Sequence, residues 1–211
     1  MYNFKYVSKE ESEPVKQDLI SLIRKVQDLV REHFTFQFRF IGSTERNMIT
    51  CDKDSNIGFD FDVNFEIYDD NGYNAKEIRN IVRRAIDKVA YMYGYDYAED
   101  STRVLTIKVK DRFYSRIIHS CDFCIFHNYG DEQQEYIRFN KVSQTYGWVE
   151  QGKGYYMLQD KIDFLKENRL WNKLRTHYLY KKNINTNLKK HSRTIFAEAV
   201  NEMCQKNGYF D

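Results

Sequence analysis

Hydrophobic spacing along the chain changes period several times, and each change predicts an element. Val15, Leu19, Leu22, Val26 and Leu29 recur every three or four residues, with Ile20, Ile23 and Val30 widening the stripe, which predicts a helix. Ser12-Glu13-Pro14 opens it, because proline is tolerated in a first helical turn, and residues 1–11 are expected to be loosely held. Phe34 to Ile41 is an apolar, strand-like run that ends at Gly42-Ser43 and a polar loop. From Phe59 to Ile67 the period becomes two: Phe59, Phe61, Val63, Phe65 and Ile67 share one face of a strand, and Asp60, Asp62, Asn64 and Glu66 share the other.

Asp69-Asp70-Asn71-Gly72 is a turn cluster. Asn74 with Glu77 starts a second helix, Gly94 stops it, and Ile78, Val82, Ala85, Val89 and Met92 form its buried stripe. Arg103 to Val109 and Ser115 to Phe126 read as strands around the turn Asp111-Arg112, followed by a loop at Gly130-Asp131-Glu132. Tyr136 to Val142 reads as a further short strand. Gly147-Trp148 through Gly152-Lys153-Gly154 is glycine-rich and aromatic, and is expected to connect to two helices over 157–182 and 187–206. Leu158, Ile162, Leu165, Leu174 and Tyr178 line the first, and Ile195, Ala199 and Met203 the second. This order is α+β: a mixed sheet with packing helices over 1–145, then a helical C-terminal subdomain over 146–211.

Composition narrows the class. The 211 residues are 42% hydrophobic and 16% aromatic, with seventeen Tyr and fifteen Phe, so the chain can bury a core. The net charge of +2 announces no extended basic surface, which argues against long nucleic acid as the ligand. No apolar run is long enough to span a bilayer, the N-terminus Met1-Tyr2-Asn3-Phe4-Lys5 lacks a signal-peptide core, and a reducing cytoplasm is expected. The four cysteines, at 51, 121, 124 and 204, suggest no disulfide framework.

The alternating strand carries the candidate chemistry. Asp60 and Asp62 stand roughly 6–7 Å apart at a rise of ~3.3 Å per residue, a separation at which both can reach one hard divalent cation or a close pair. Alternation alone also describes an ordinary half-exposed strand. Gly42-Ser43 at the end of the preceding strand lets the backbone pass close to a ligand, and its hydroxyl and amides can hold phosphate oxygens. Asp122 sits alone in the apolar run from Ile117 to Phe126, where an acid is costly unless it is paired or binds a metal. Glu66 lies about 13 Å from Asp62 at ~3.3 Å per residue, too far for the same cation, and reads as an exposed or salt-bridged acid.

At Gly42, Ser43, Asp60, Asp62 and Asp122 the sequence resembles the nucleotidyltransferase superfamily with the DNA polymerase β-like fold. The outline extends over residues 34–127. It looks most like the branch with oligoadenylate and cyclic-dinucleotide synthases and small antibiotic nucleotidyltransferases. The resemblance implies a catalytic core whose cleft is closed by the helical C-terminal part. It implies an enzyme that moves a nucleoside monophosphate from an NTP to a hydroxyl acceptor, a second nucleotide being the first choice, with release of pyrophosphate. Asp60, Asp62 and Asp122 would be the catalytic acids and ligands of Mg2+ (or Mn2+), and Gly42 and Ser43 the nucleotide-binding residues. The residues after Gly42-Ser43 are Thr44-Glu45-Arg46-Asn47, without a second glycine. A nucleotide-binding regulatory module, or a toxin–antitoxin-type subunit with a partner protein, is the alternative.

Other motifs carry less. Cys121 and Cys124 invite a zinc reading, but a strand sends them to opposite faces and no second pair completes a site. Gly152-Lys153-Gly154 lacks the spacing of a phosphate-binding loop. Lys181-Lys182, Lys189-Lys190-His191 and Arg193 read as a solvated helix surface that could instead hold a triphosphate, with Lys173 a further candidate.

Overall fold

The computed structural model describes residues 2–129, 133–152, 154–187 and 189–209, with the backbone alone at 154–156. The loop expected at Gly130-Asp131-Glu132 and the lysine of Gly152-Lys153-Gly154 lie outside them. Contacts divide the chain into two compact units: 6–51 with 56–151, and 1–5 with 52–55 and 152–211.

The larger unit runs through β1 (Lys5–Tyr6, shared with the smaller unit), α1 (Lys9–Val30), β2 (Thr35–Ile41), α2 (Gly42–Glu45), β3 (Thr50–Cys51) and β4 (Ile57–Asp69). It continues with α3 (Ala75–Ala90), β5 (Glu99–Asp100), β6 (Val104–Asp111), β7 (Arg116–Tyr129), β8 (Gln133–Asn140) and β9 (Thr145–Glu150). The sheet runs β2-β4-β7-β6-β5, with β8 on the far end of β7 and β9 beyond it. Within it β4 and β7 are parallel and the other pairs antiparallel, so the sheet is mixed as expected.

Alternation decides which face of β4 is covered. Phe59, Phe61, Val63, Phe65 and Ile67 are buried, as the period of two predicts. They join Leu19, Leu22, Ile23, Val26 and Val30 of α1 and Ile78, Val82, Ile86 and Val89 of α3 in one core. The acid-bearing face is the opposite one.

Several expectations are corrected. Helix α1 begins at Lys9, because Ser8 caps it by accepting the Glu11 amide at 3.2 Å; Pro14 therefore sits inside the helix. Of the residues expected to be loosely held, 2–11 are held: Phe4 is buried, and its amide donates to Asn183 Oδ1 at 2.6 Å within the smaller unit. The capping box of Asn74 and Glu77 forms, but a 3-10 turn at Tyr91–Tyr93 swings Met92 out to solvent. The strand expected to reach Val142 ends at Asn140, leaving Val142 exposed. Residues 145–150, expected partly as a connection, are a strand, because the run Thr145-Tyr146-Gly147-Trp148-Val149-Glu150 pairs antiparallel along β8.

The smaller unit has three helices among its described residues: α4 (Gly154–Glu167), α5 (Trp171–Ile184) and α6 (Ser192–Lys206). The single helix expected over 157–182 breaks at Arg169, which takes a left-handed φ of 56° while the Leu170 amide bonds back to the Leu165 carbonyl at 2.8 Å. Ile162, Leu165, Leu174, Tyr178, Ile195, Ala199 and Met203 are buried as the spacing predicts.

No helix among the described residues is long and apolar enough to cross a membrane.

Candidate active site

The parallel register of β4 and β7 builds the site. It sets Asp62 opposite Asp122 and Asp60 opposite Ser120 on the face of the sheet opposite α1 and α3. One carboxylate oxygen of each of Asp60, Asp62 and Asp122 lies within 4.8 Å of the others. Three acids, two of them sixty or more residues before the third, therefore meet as the sequence pattern anticipates. All ligand atoms in this set are carboxylate oxygens, which suits a hard divalent cation.

Two glycines make the geometry possible. Gly42, at the turn from β2 into α2, has φ +66°, and a Cβ there would stand 2.5 Å from Asp62 Oδ2. The Gly-Ser turn and the Asp-x-Asp strand are thus in contact. Gly58, two residues before Asp60, lies where a Cβ would meet the carbonyl oxygens of Ile117 and Ile118, each at 2.3 Å. It lets β4 approach β7 at the start of their pairing. Sequence reasoning missed Gly58; its position just upstream of Asp-x-Asp was the available signal.

Neutral hydroxyls hold the outer acids. Ser120 Oγ donates to Asp60 Oδ1 at 2.7 Å, and Thr106 Oγ1, directly opposite Asp122 on β6, donates to Asp122 Oδ1 at 2.5 Å. Both were missed. Ser120 could have been found from its place two residues before Asp122, on the same face; Thr106 is recognisable only once β6 is paired with β7.

Crowding dominates the electrostatics. Asp60 keeps an exposed edge, yet protein packed around its carboxyl, and then the charges of Asp122 and Asp62, push it up to about 8 against the pull of the Ser120 hydroxyl. Burial likewise raises Asp122, offset in part by the Thr106 hydrogen bond and the Lys108 charge. A divalent cation would relieve the repulsion.

The other candidates fall elsewhere. Glu66 accepts a hydrogen bond from Asn128 Nδ2, away from the triad. Cys121 is buried and Cys124 half-buried, both as free thiols, and burial pushes Cys124 up to about 11. Lys181 pairs with Glu198 at 3.4 Å and with Glu202, and Lys190 pairs with Glu198 at 2.7 Å. Lys182 is buried with its ammonium 4.1 Å from the Phe4 ring centre. Lys173, Lys189, His191 and Arg193 are exposed.

No protein-family profile matches the chain, and no curated protein matches it. Solved structures do. The Vibrio cholerae DncV cyclic AMP-GMP synthase, in complex with the linear intermediate 5' pppA(3',5')pG, superposes with a TM-score of 0.60 at 14% identity, over 93% of this chain and 54% of that one. The STING-associated CdnE c-di-GMP synthase of Capnocytophaga granulosa gives 0.59 at 17% identity, over 96% and 62%. The Bradyrhizobium diazoefficiens CD-NTase CdnG, in complex with GTP, gives 0.54 at 12%, over 74% and 42%. The chain thus spans between 42% and 62% of the length of these proteins. Its fold is the α+β nucleotidyltransferase fold found in cyclic-dinucleotide synthases.

Proposed function

We propose that this chain is an enzyme that transfers a nucleoside monophosphate from an NTP to a hydroxyl acceptor with release of pyrophosphate, the favoured acceptor being a second nucleotide. One observation carries the reading: Asp60, Asp62 and Asp122 converge within 4.8 Å of one another on adjacent strands. The fold adds support, since its neighbours include a CD-NTase in complex with GTP and a synthase in complex with a linear dinucleotide intermediate. The division of labour we propose makes the sheet-bearing part the catalytic core.

Asp60, Asp62 and Asp122 fit Mg2+ or Mn2+, which when bound would neutralise phosphate charge and lower the pKa of the acceptor hydroxyl. Gly42 and Ser43 take the β- and γ-phosphate oxygens of the donor; the glycine allows close backbone approach and the serine offers a hydroxyl. On β7, beyond β4 as seen from that turn, Asp122 accepts the proton of the attacking hydroxyl. The hydroxyl oxygen bonds to the α-phosphorus as the bond to the bridging oxygen breaks, and pyrophosphate departs. A nucleotide acceptor also agrees with the net charge of +2, which offers no extended groove for a long polyanion. The four cysteines, none of them in a disulfide, are in keeping with a reducing cytoplasm as the compartment we propose.

Incubating the full chain with each labelled NTP and Mg2+ or Mn2+, without added acceptor, tests the reading. Pyrophosphate and a joined-nucleotide product are expected. Wild type indistinguishable from Asp60→Asn with every NTP would overturn it.

A further inference from the structure

We infer that Thr106 is a positioning residue of this site, whose hydroxyl fixes the orientation in which Asp122 meets a divalent cation. The inference rests on the proposed metal-dependent reading and adds a residue to it.

Thr106 is held on both sides. Its neighbours Leu105 and Ile107 point to the opposite face and are fully buried, which clamps the β6 backbone to the core. Antiparallel pairing then places Thr106 directly across from Asp122. A β-branched side chain on a strand is stiff at χ1, so the hydroxyl has little freedom once the backbone is set. Thr106 Oγ1 reaches Asp122 Oδ1 at 2.5 Å. That contact stops rotation of the carboxylate about its terminal torsion, which is otherwise broad. The hydrogen bond engages one of the two carboxylate oxygens, Oδ1.

The chemistry of the donor also matters. A lysine or arginine at 106 would cancel part of the charge that binds a cation, whereas a neutral hydroxyl orients the carboxylate and leaves its charge in place. Asp60 is served the same way by Ser120 at 2.7 Å. The difference is the strand of origin. Ser120 comes from β7, which carries Asp122 itself, while Thr106 comes from β6, which carries none of the three acids. Strand β6 thus contributes to the site without supplying one of its acids.

The test compares Thr106→Val, which keeps the shape and removes the hydroxyl, with Thr106→Ser, which keeps the hydroxyl and removes the methyl. Mn2+ binding to the full chain is followed by electron paramagnetic resonance, and pyrophosphate release is measured against Mg2+ concentration. Loss of a group that orients a metal ligand typically costs ten- to a hundredfold in affinity or activity. Thr106→Val should therefore weaken Mn2+ binding roughly tenfold or more. It should raise the Mg2+ requirement in proportion, while Thr106→Ser stays within about twofold of wild type on the same scale. The inference is overturned if Val matches wild type, or if Ser is impaired as much as Val, because packing would then explain the position. Asp122→Asn separates the two levels. If it binds Mn2+ as wild type does, the metal-site reading fails and takes this inference with it. If Asp122→Asn fails to bind but Thr106→Val binds normally, only the role given to Thr106 falls.

Discussion

Gly42 and Asp62 occupy adjoining space with no room for one more carbon: a Cβ on residue 42 would lie 2.5 Å from Asp62 Oδ2. The turn that ends β2 and the acid in the middle of β4 are therefore one steric unit, although twenty residues separate them.

Gly42→Ala should accordingly fail twice. A left-handed backbone costs a non-glycine residue about 1–2 kcal/mol, which urea denaturation would read. The displaced Asp62 carboxylate should lower pyrophosphate release by on the order of a hundredfold, the scale that follows a misplacement of about 1 Å. An alanine variant with full activity would mean that the Gly-Ser turn does not set the position of Asp62.

Asp60→Asn should trade activity for stability. Asp60 carries the raised carboxyl, pushed up first by crowding and then by Asp122 and Asp62. Removing its charge relieves both acids. Metal-dependent pyrophosphate release should vanish, while the melting temperature of the chelator-treated variant at pH 8 should exceed that of chelator-treated wild type. Differential scanning fluorimetry in EDTA measures the second effect.

The same repulsion predicts how stability depends on pH. An aspartate in the unfolded chain titrates near 3.9. In the fold Asp60 is raised to about 8, and Asp122 is raised as well. A raised carboxyl contributes stability that is fully present below the unfolded value and is lost as pH climbs through the folded one. The metal-free protein should thus lose stability from this cluster between about pH 4 and about pH 8. Mg2+ or Mn2+ should restore it chiefly at the alkaline end. A Mg2+ effect on melting that is equal at pH 5 and pH 8.5 would contradict this account.

Arg79 tests the scaffold apart from the chemistry. This arginine of α3 is fully buried, pairs with Asp100 at 2.7 Å, and donates to the carbonyls of Ser101, Val104 and Ile137 at 2.6–3.1 Å. Tyr146 adds a hydrogen bond to Asp100 at 2.8 Å. Arg79→Met leaves a buried carboxylate and three carbonyls short of a donor, and should destabilise by about 3–5 kcal/mol in equilibrium denaturation.

What the sequence discloses follows from how local each signal is. The alternation from Phe59 to Ile67 reveals its own buried face, and the capping box of Asn74 and Glu77 lies within four residues; both are found as expected. The three acids are legible because Gly-Ser, Asp-x-Asp and a lone Asp in an apolar run are each unusual in their setting. Thr106, Gly58 and Arg79 are not, because their roles exist only once elements distant in sequence pack together. Arg79 looks like a surface residue on α3 until β5, β6 and β8 close around it. The break at Arg169 was hidden because nothing in its residue type favours a left-handed φ.

The parallel pairing of β4 with β7 has one more consequence. Side chains on a strand change face at every residue, so a slip by one position would turn Asp122 toward the core and present Cys121 in its stead. Such a misaligned chain would bury a charge and expose Phe123, and it would also lack its metal ligand. Correct alignment of the two strands is thus enforced by the folding energy before any nucleotide arrives, and competence and nativeness become a single property of this sheet.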